Sequence, residues 1–295
     1  MKVIILGAGA IGSFYGARLS KLNDVILIGR RKHVNYINKN GLRVTGLENT
    51  IYKLRAATKV GRIKDETLIL LTTKVYDSKK AVSSIKNLIK KDVIILCMQN
   101  GLYSENISKD IVGKECKVLR GITDFGAAFL EPGIVQLNNY GHTFIEKSPT
   151  SKEIAEELNK CGLNCYISKD IKIDMWKKII LNCVLNPLTA ILRVENNVIA
   201  DEKLNPIKKL IVDECLEVAK KDGAKFNFDF VKAINDGIEN SRNISSMLQD
   251  LLKGNPTEID YLNGAVVELG EKYGVKCPVN EALVMIIKEM EKLNK

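Results

Sequence analysis

Lys2-Val3-Ile4-Ile5-Leu6-Gly7-Ala8-Gly9-Ala10-Ile11-Gly12, at the head of a 295-residue chain, is a short apolar run followed by Gly-x-Gly-x-x-Gly. Alone the glycine pattern is weak evidence. Placed directly after a strand and at the opening of a helix, it is the phosphate loop of a dinucleotide-binding unit. In that reading Gly7 permits the tight turn, Gly9 lets the backbone approach the pyrophosphate, and Gly12 allows close packing of helix on strand. The pyrophosphate then rests on the free N–H groups and positive dipole of the helix start, around Ala8, Ala10 and Ile11.

The pattern continues outward. Residues 25–28, 68–72, 93–98 and 117–122 are short runs rich in Val, Ile and Leu, and residues 11–21 and 78–90 between them have helical periodicity. Strands apolar on both faces that alternate with helices indicate a parallel sheet covered on both sides. Residues 135–138 and 142–146, separated by Asn139-Tyr140-Gly141, are expected to form a hairpin extending or flanking that sheet. Beyond Ser168-Lys169-Asp170 the periodicity is helical throughout, over 171–191, 204–222, 228–240, 244–253, 257–273 and 280–293. The expected fold is therefore an α/β Rossmann domain, with a doubly wound and mostly parallel sheet, over residues 1–169, followed by an all-α domain over residues 170–295. A short hinge near residue 170 makes the cleft between these domains the natural place for a site.

Three strand ends carry distinctive side chains. An NAD site wants Asp or Glu at the end of the second strand, but this chain has Gly29-Arg30-Arg31-Lys32. Guanidinium groups there favour a 2′-phosphate, hence NADPH/NADP+. Lys74 and Asn100 fall just past the ends of later strands, on the edge that faces ligands in doubly wound sheets. A solvated lysine and an Asn-Gly turn explain those two equally well from the residues alone.

Bulk properties exclude several classes. The formal net charge is +10, but Lys and Arg are interspersed with Asp and Glu, with no long basic run. No nucleic-acid partner is expected; the positive field suits anionic substrates and cofactors. No stretch approaches the ~20 apolar residues of a membrane span, so no membrane partner is expected. The first residues read better as a strand than as a signal peptide, because glycines follow at once. The seven cysteines are scattered and form no CxxC pair or zinc pattern. Reduced thiols, a cytoplasmic location and no metal site are the expectation.

The second half concentrates its chemistry in two segments. In Trp176-Lys177-Lys178-Ile179-Ile180-Leu181-Asn182-Cys183-Val184-Leu185-Asn186-Pro187-Leu188-Thr189-Ala190, Lys178, Asn182 and Asn186 recur every four residues and line one helix face. Apolar neighbours surround them, and a buried amide needs partners. Pro187 removes a helical hydrogen bond and crowds the Cys183 carbonyl, so a kink is expected. The other segment is Asn243-Ile244-Ser245-Ser246-Met247-Leu248-Gln249-Asp250, followed by Pro256-Thr257-Glu258-Ile259-Asp260-Tyr261-Leu262-Asn263-Gly264. Thr257 is suited to cap the helix that follows, with Glu258 and Asp260 in its first turn.

Taken in order, the glycine loop, Lys74, Gln99-Asn100-Gly101, WKK-x3-N-x3-NPLTA and NISSMLQD…TEIDYLNG resemble the ketopantoate reductase (2-dehydropantoate 2-reductase) family, from residue 1 to about residue 265. The family reduces 2-dehydropantoate to pantoate with NADPH on the route to pantothenate and coenzyme A. The resemblance implies that Lys178 is the general acid, and that Asn182, Asn186 and Asn243 hold the substrate's hydroxyl end. It implies that Ser246 binds the carboxylate, and that Asn100 and Lys74 lie between cofactor and substrate. Glu258 would touch the cofactor side and orient Lys178, Arg30 would meet the 2′-phosphate, and Ala127 is a looser cofactor match. The chemistry is consistent: hydride delivery to a ketone leaves an alkoxide that needs a proton. The only histidines, His33 and His142, lie on segments that do not read as catalytic. The rival readings are a reductase of another 2-oxo acid and a non-catalytic NADPH-binding sensor. A homodimer is compatible with the apolar 266–267 and 284–287 stretches, which core burial explains better.

Overall fold

In the computed structural model, which describes residues 1–293, the chain divides into two units. One comprises residues 1–99 and 103–171; the other comprises residues 100–102 together with the chain from Lys172 onward.

The first unit is built on an eight-stranded sheet ordered β12-β11-β8-β7-β6-β1-β2-β5. Its strands are β1 (Lys2–Leu6), β2 (Asp24–Ile28), β5 (Arg55–Ala57), β6 (Thr67–Leu71), β7 (Ile94–Cys97), β8 (Lys117–Thr123), β11 (Thr143–Ile145) and β12 (Cys165–Ile167). Helices α1 (Ala10–Leu19), α2 (Arg31–Asn40), α3 (Ser78–Ser83), α4 (Ser104–Val112) and α5 (Ser151–Lys160) complete the α/β pattern. Every pairing from β5 through β8 is parallel. Two apolar clusters result, because strand side chains alternate between faces. Val3 and Ile5 join one with Phe14 and Leu27, whereas Ile4 and Leu6 join the other with Ile69 and Ile95. Neighbours β2 and β6 flank β1 on opposite sides, so the strand order reverses direction at β1, where doubly wound sheets bind ligands.

The expected hairpin at 135–146 is not formed. β10 (Ile134–Asn139) instead pairs antiparallel with β9 (Gly126–Glu131) and parallel with β3 (Leu42–Gly46), in a second sheet completed by β4 (Thr50–Tyr52). β11 pairs antiparallel with β8 in the main sheet. The stronger turn signal was Pro132-Gly133, which joins β9 to β10 with Gly133 at φ +82°. The helix expected over 78–90 also breaks after Ser83, where the Ser84 hydroxyl turns back onto the Ala81 carbonyl at 2.7 Å.

The second unit is helical: α6 (Ile171–Leu192), α7 (Asn205–Lys221), α8 (Phe230–Ile238), α9 (Ser246–Leu252), α10 (Asn263–Tyr273) and α11 (Pro278–Leu293). Helix α6 runs through Pro187 and is buried nearly all round, as its apolar sequence requires. Asp222 ties three helices, accepting from Trp176 Nε1 at 2.9 Å and the Tyr273 hydroxyl at 2.9 Å, and from Lys172 Nζ at its main-chain oxygen. The helix expected from Thr257 begins only at Asn263, because Thr257 is engaged elsewhere. Its N–H and hydroxyl both donate to Glu291 Oε1, at 2.8 and 2.6 Å, and residues 259–261 form a separate 3-10 turn. Glu258 and Asp260 therefore precede α10 rather than fill its first turn. Val266 and Ile287 are core residues, while Met285 and Ile286 are exposed. All seven cysteines are free thiols and buried. Among the described residues, no helix is long and apolar enough to cross a membrane and no His, Cys, Asp or Glu cluster could hold a metal.

Candidate active site

The register of the parallel strands brings the sequence motifs of the first unit to one edge. Leu6 is level with Ile28 and with Leu71, and Leu71 with Cys97. The loops that leave those four positions carry Gly7-Ala8-Gly9, Gly29-Arg30, Thr72-Thr73-Lys74 and the approach to Asn100. The glycine loop is held by its neighbour, since Gly7 N and Ala8 N both donate to Ile28 O, at 3.1 and 2.8 Å.

Two of the three glycines are required by the protein itself. Gly7 has φ +117° and a Cβ there would lie 2.5 Å from Thr73 N. A Cβ on Gly12 would lie 2.2 Å from Gly7 O, so α1 could not pack where it does. Gly9 is different. It has φ −80°, open to any residue, and an added Cβ would meet nothing within 4 Å. No internal contact demands glycine there, whereas a ligand laid against the backbone does. The start of α1 has neither a side-chain cap nor an acidic residue, which keeps its N–H groups available to an anion. These residues fit a pyrophosphate.

Arg30 is the exposed N-cap of α2, followed in the first turn by Arg31 and Lys32 with no acidic residue. Three cations at the positive end of a helix dipole are unfavourable on their own and suit a bound anion. Beneath them lies a residue that sequence reading set aside. His33 is buried, with Nδ1 accepting from Gly133 N at 2.8 Å and Nε2 3.0 Å from Ser13 Oγ. The Gly133 contact requires a lone pair on Nδ1, so the proton sits on Nε2 and points at Ser13, one residue past the glycine loop. Burial pushes the ring pKa down to about 4, keeping it neutral. Lys74 caps a short 3-10 turn after β6, and Gln99 donates to Ser78 Oγ at 2.6 Å. Ala127 lies in β9 of the second sheet, packed against the apolar cluster that contains Phe14.

The helical unit assembles the other set. Lys178 is half-buried on α6, and on the same face Asn182 and Asn186 are 7% and 4% exposed. Neither side-chain amide hydrogen-bonds to another described residue. Neither amide is among the sealed, unpartnered polar atoms of the core, so both side chains are packed in while their polar ends stay open to an incoming group. Asn100 belongs with this unit, and its Nδ2 donates to Glu258 Oε2 at 3.3 Å. Beside it, Gly101 at φ +94° would place a Cβ 2.8 Å from Tyr261 O, so glycine seats this turn on the segment carrying Glu258. Glu258 is buried, and Ser246 is exposed at the first position of α9. Asn243 is half-buried, its carbonyl accepting from Asn196 N at 2.8 Å.

Supporting residues here gave little signal in the sequence. Ser245 caps α9 by accepting from Leu248 N, and its hydroxyl is 2.7 Å from Thr189 Oγ1 on α6. Lys208 is fully buried, its ammonium donating to the carbonyls of Ile199 at 2.7 Å and Asp201 at 3.2 Å and to Asn235 Oδ1. It thereby holds the 196–204 segment, whose Asn196 and Asn197 N–H groups grip the carbonyls of Asn243 and Ser241.

Residues 3–150 match the family described as ketopantoate reductase PanE/ApbA, and residues 170–291 match its C-terminal domain. A 2-dehydropantoate 2-reductase from Pyrococcus horikoshii is 36% identical, covering 99% of this chain and 98% of the relative. One from Archaeoglobus fulgidus is 34% identical over 98% of each. Among solved structures, a PanE/ApbA family ketopantoate reductase from Ralstonia eutropha superposes with TM-score 0.92 at 29% identity, covering 100% of this chain and 99% of that one. A D-mandelate dehydrogenase solved with NADH and anilino(oxo)acetate gives TM-score 0.92 at 31% identity, with the same coverage.

Proposed function

The chain belongs to the ketopantoate reductase family of oxidoreductases, and we propose that it reduces 2-dehydropantoate to pantoate with NADPH. The observation that carries this reading is the α6 stripe: a half-buried Lys178 followed by two buried amides, Asn182 and Asn186, with no described protein partner. NADPH supplies the hydride. The glycine loop from Gly7 to Gly12 holds its pyrophosphate, and Arg30 with the positive start of α2 holds its 2′-phosphate. Asn182 and Asn186 hold the substrate's hydroxyl end, assisted by Asn243, and Ser246 takes the carboxylate. Lys178 gives the proton that the developing alkoxide requires, from a group fixed in place before the reaction. Glu258, bonded to Asn100, orients that pair of side chains toward cofactor and substrate. Lys74 contributes positive charge at the strand-end edge.

The test is oxidation of NADPH followed by absorbance with 2-dehydropantoate as substrate, run beside NADH. Rapid turnover with NADPH supports the reading; folded protein that binds NADPH without turnover rejects the substrate. The D-mandelate dehydrogenase relative with NADH favours a second reading, a reductase of a bulkier 2-oxo acid. Arg30 argues against NADH, and a panel of 2-oxo acids separates the two. Residue placement favours an enzyme over a sensor, which has no use for a half-buried lysine beside two buried amides.

A further inference from the structure

Pro187 lies inside α6 and has no N–H, so the carbonyl of Cys183, four residues earlier, loses its helical donor. Another residue supplies one. Asn263, at the first position of α10, donates from Nδ2 to Cys183 O at 3.0 Å. Asn263 is fully buried, and the same nitrogen donates to Asn280 Oδ1 at 2.9 Å. Two acceptor oxygens facing one nitrogen fix the amide's orientation, since the reverse would set oxygen against oxygen. Asn280 is held in turn by Glu214, whose carboxylate accepts from Val279 N at 2.8 Å, Asn280 N at 2.9 Å and Asn280 Nδ2 at 2.6 Å. A relay of side chains thus runs from α7 through α11 and α10 to one carbonyl of α6.

The position of that carbonyl matters. Cys183 directly follows Asn182, and Pro187 directly follows Asn186, so the missing rung of the helical ladder, from residue 187 to residue 183, lies one step from the rung that joins the two amide-bearing residues. Proline gaps are where helices bend, and an unbraced one leaves the angle between its halves weakly fixed. Satisfaction of core polarity alone explains Asn263 poorly. Its Oδ1 is buried without a partner, a cost that an apolar residue of similar size would avoid.

We infer that Asn263 is a positioning residue: it gives Cys183 the hydrogen bond that Pro187 withholds, and so fixes Asn182 and Asn186 relative to each other. The role given to those two amides rests on the proposed function. The bond itself does not.

A double-mutant cycle tests it. Asn263→Asp keeps the shape and sets a carboxylate oxygen against Cys183 O; Pro187→Ala restores the helical N–H that carbonyl lacks. Asn263→Ala serves as the milder variant should the aspartate fail to fold. In the natural background, either change at 263 is expected to lower kcat/KM for 2-dehydropantoate about tenfold, chiefly through KM for that substrate, with KM for NADPH unchanged. In the Pro187→Ala background the loss is expected to shrink to about threefold or less, with the same shrinkage in the melting-temperature shift. Equal losses in both backgrounds overturn the inference, as does a KM for NADPH that moves in step. Natural protein inactive on 2-dehydropantoate would overturn the positioning role together with the proposed function. The melting-temperature cycle, which needs no substrate, shows in that case whether the hydrogen-bond pairing itself had failed.

Discussion

The sheet unit and the helical unit place polar chemistry by opposite means. In the sheet unit the backbone does the placing. Strand register lines up four loops, Gly7 and Gly12 allow backbone and helix to approach, and the N–H groups at the start of α1 are left without a side-chain cap. In the helical unit, buried side chains do it, each held by another. Lys208 grips the segment that grips Asn243, Ser245 meets Thr189, and Asn263 braces Cys183. A site made of backbone is robust to most side-chain changes near it. A site made of side chains is sensitive at positions well removed from the ligand.

The comparison can be broken most sharply at Lys178. Lys178→Ala is expected to lower kcat with 2-dehydropantoate by about 10²–10⁴-fold while leaving NADPH affinity, which the proposed function assigns mainly to the sheet unit, within about twofold. Steady-state kinetics with a separate NADPH titration check both halves; a large fall in NADPH affinity would show that the division of labour is false.

Next comes Lys208, the extreme case of side-chain placement. Lys208→Met fills similar space but leaves three buried oxygens without their donor. The expected cost is about 3 kcal/mol of stability in chemical denaturation at neutral pH. Burial also lowers the Lys208 pKa from its ordinary value. The unfolded lysine therefore holds its proton at higher pH than the native one, and natural protein gains stability as pH rises from the lowered native value toward 10.5. The methionine variant lacks that alkaline gain.

His33 probes the sheet unit in the acid range. Its native pKa of about 4 lies below the ordinary 6.5, so as pH falls the unfolded ring protonates first. Stability drops between those two values, by about 3 kcal/mol when pH reaches 4, and is unaffected by this ring above 6.5. His33→Gln keeps a donor toward Ser13 but does not titrate. Thermal melts across pH should show the variant less stable at neutral pH and the difference narrowing toward pH 4; a constant difference would contradict a neutral buried ring.

The smallest effect belongs to Arg30, one exposed charge among three. Arg30→Ala is expected to reduce the preference for NADPH over NADH about tenfold through KM for NADPH, because Arg31 and Lys32 remain. Kinetics with the two cofactors in parallel measure it; an unchanged ratio would assign the 2′-phosphate to the neighbouring cations.

This difference also explains what could be read from the sequence. The glycine loop and the strand ends were legible because their requirements are local, a φ angle or a missing Cβ within a few residues. The α6 stripe was legible through helical spacing. The partners of Asn263 and Lys208 were not, since Cys183 is 80 residues from Asn263 and Asn235 is 27 from Lys208. The 135–146 hairpin was misread for a related reason: Asn139-Tyr140-Gly141 suits a turn, but strand partners are chosen by the whole sheet. His33 was set aside as a catalyst, and its contacts show a structural link across three elements instead.

The buried thiols carry a consequence of another kind. Burial pushes Cys97 and Cys116 up to about 11, and Cys165 and Cys277 to about 12. An alkylating reagent at pH 8 finds almost no thiolate to attack until the chain around the sulfur opens. Cys97, Cys116, Cys161 and Cys165 belong to the sheet unit, and Cys183, Cys215 and Cys277 to the helical one. Each thiol is therefore a clock for local opening, and the labelling rate of each cysteine-bearing peptide times the two units independently within a single unmodified protein.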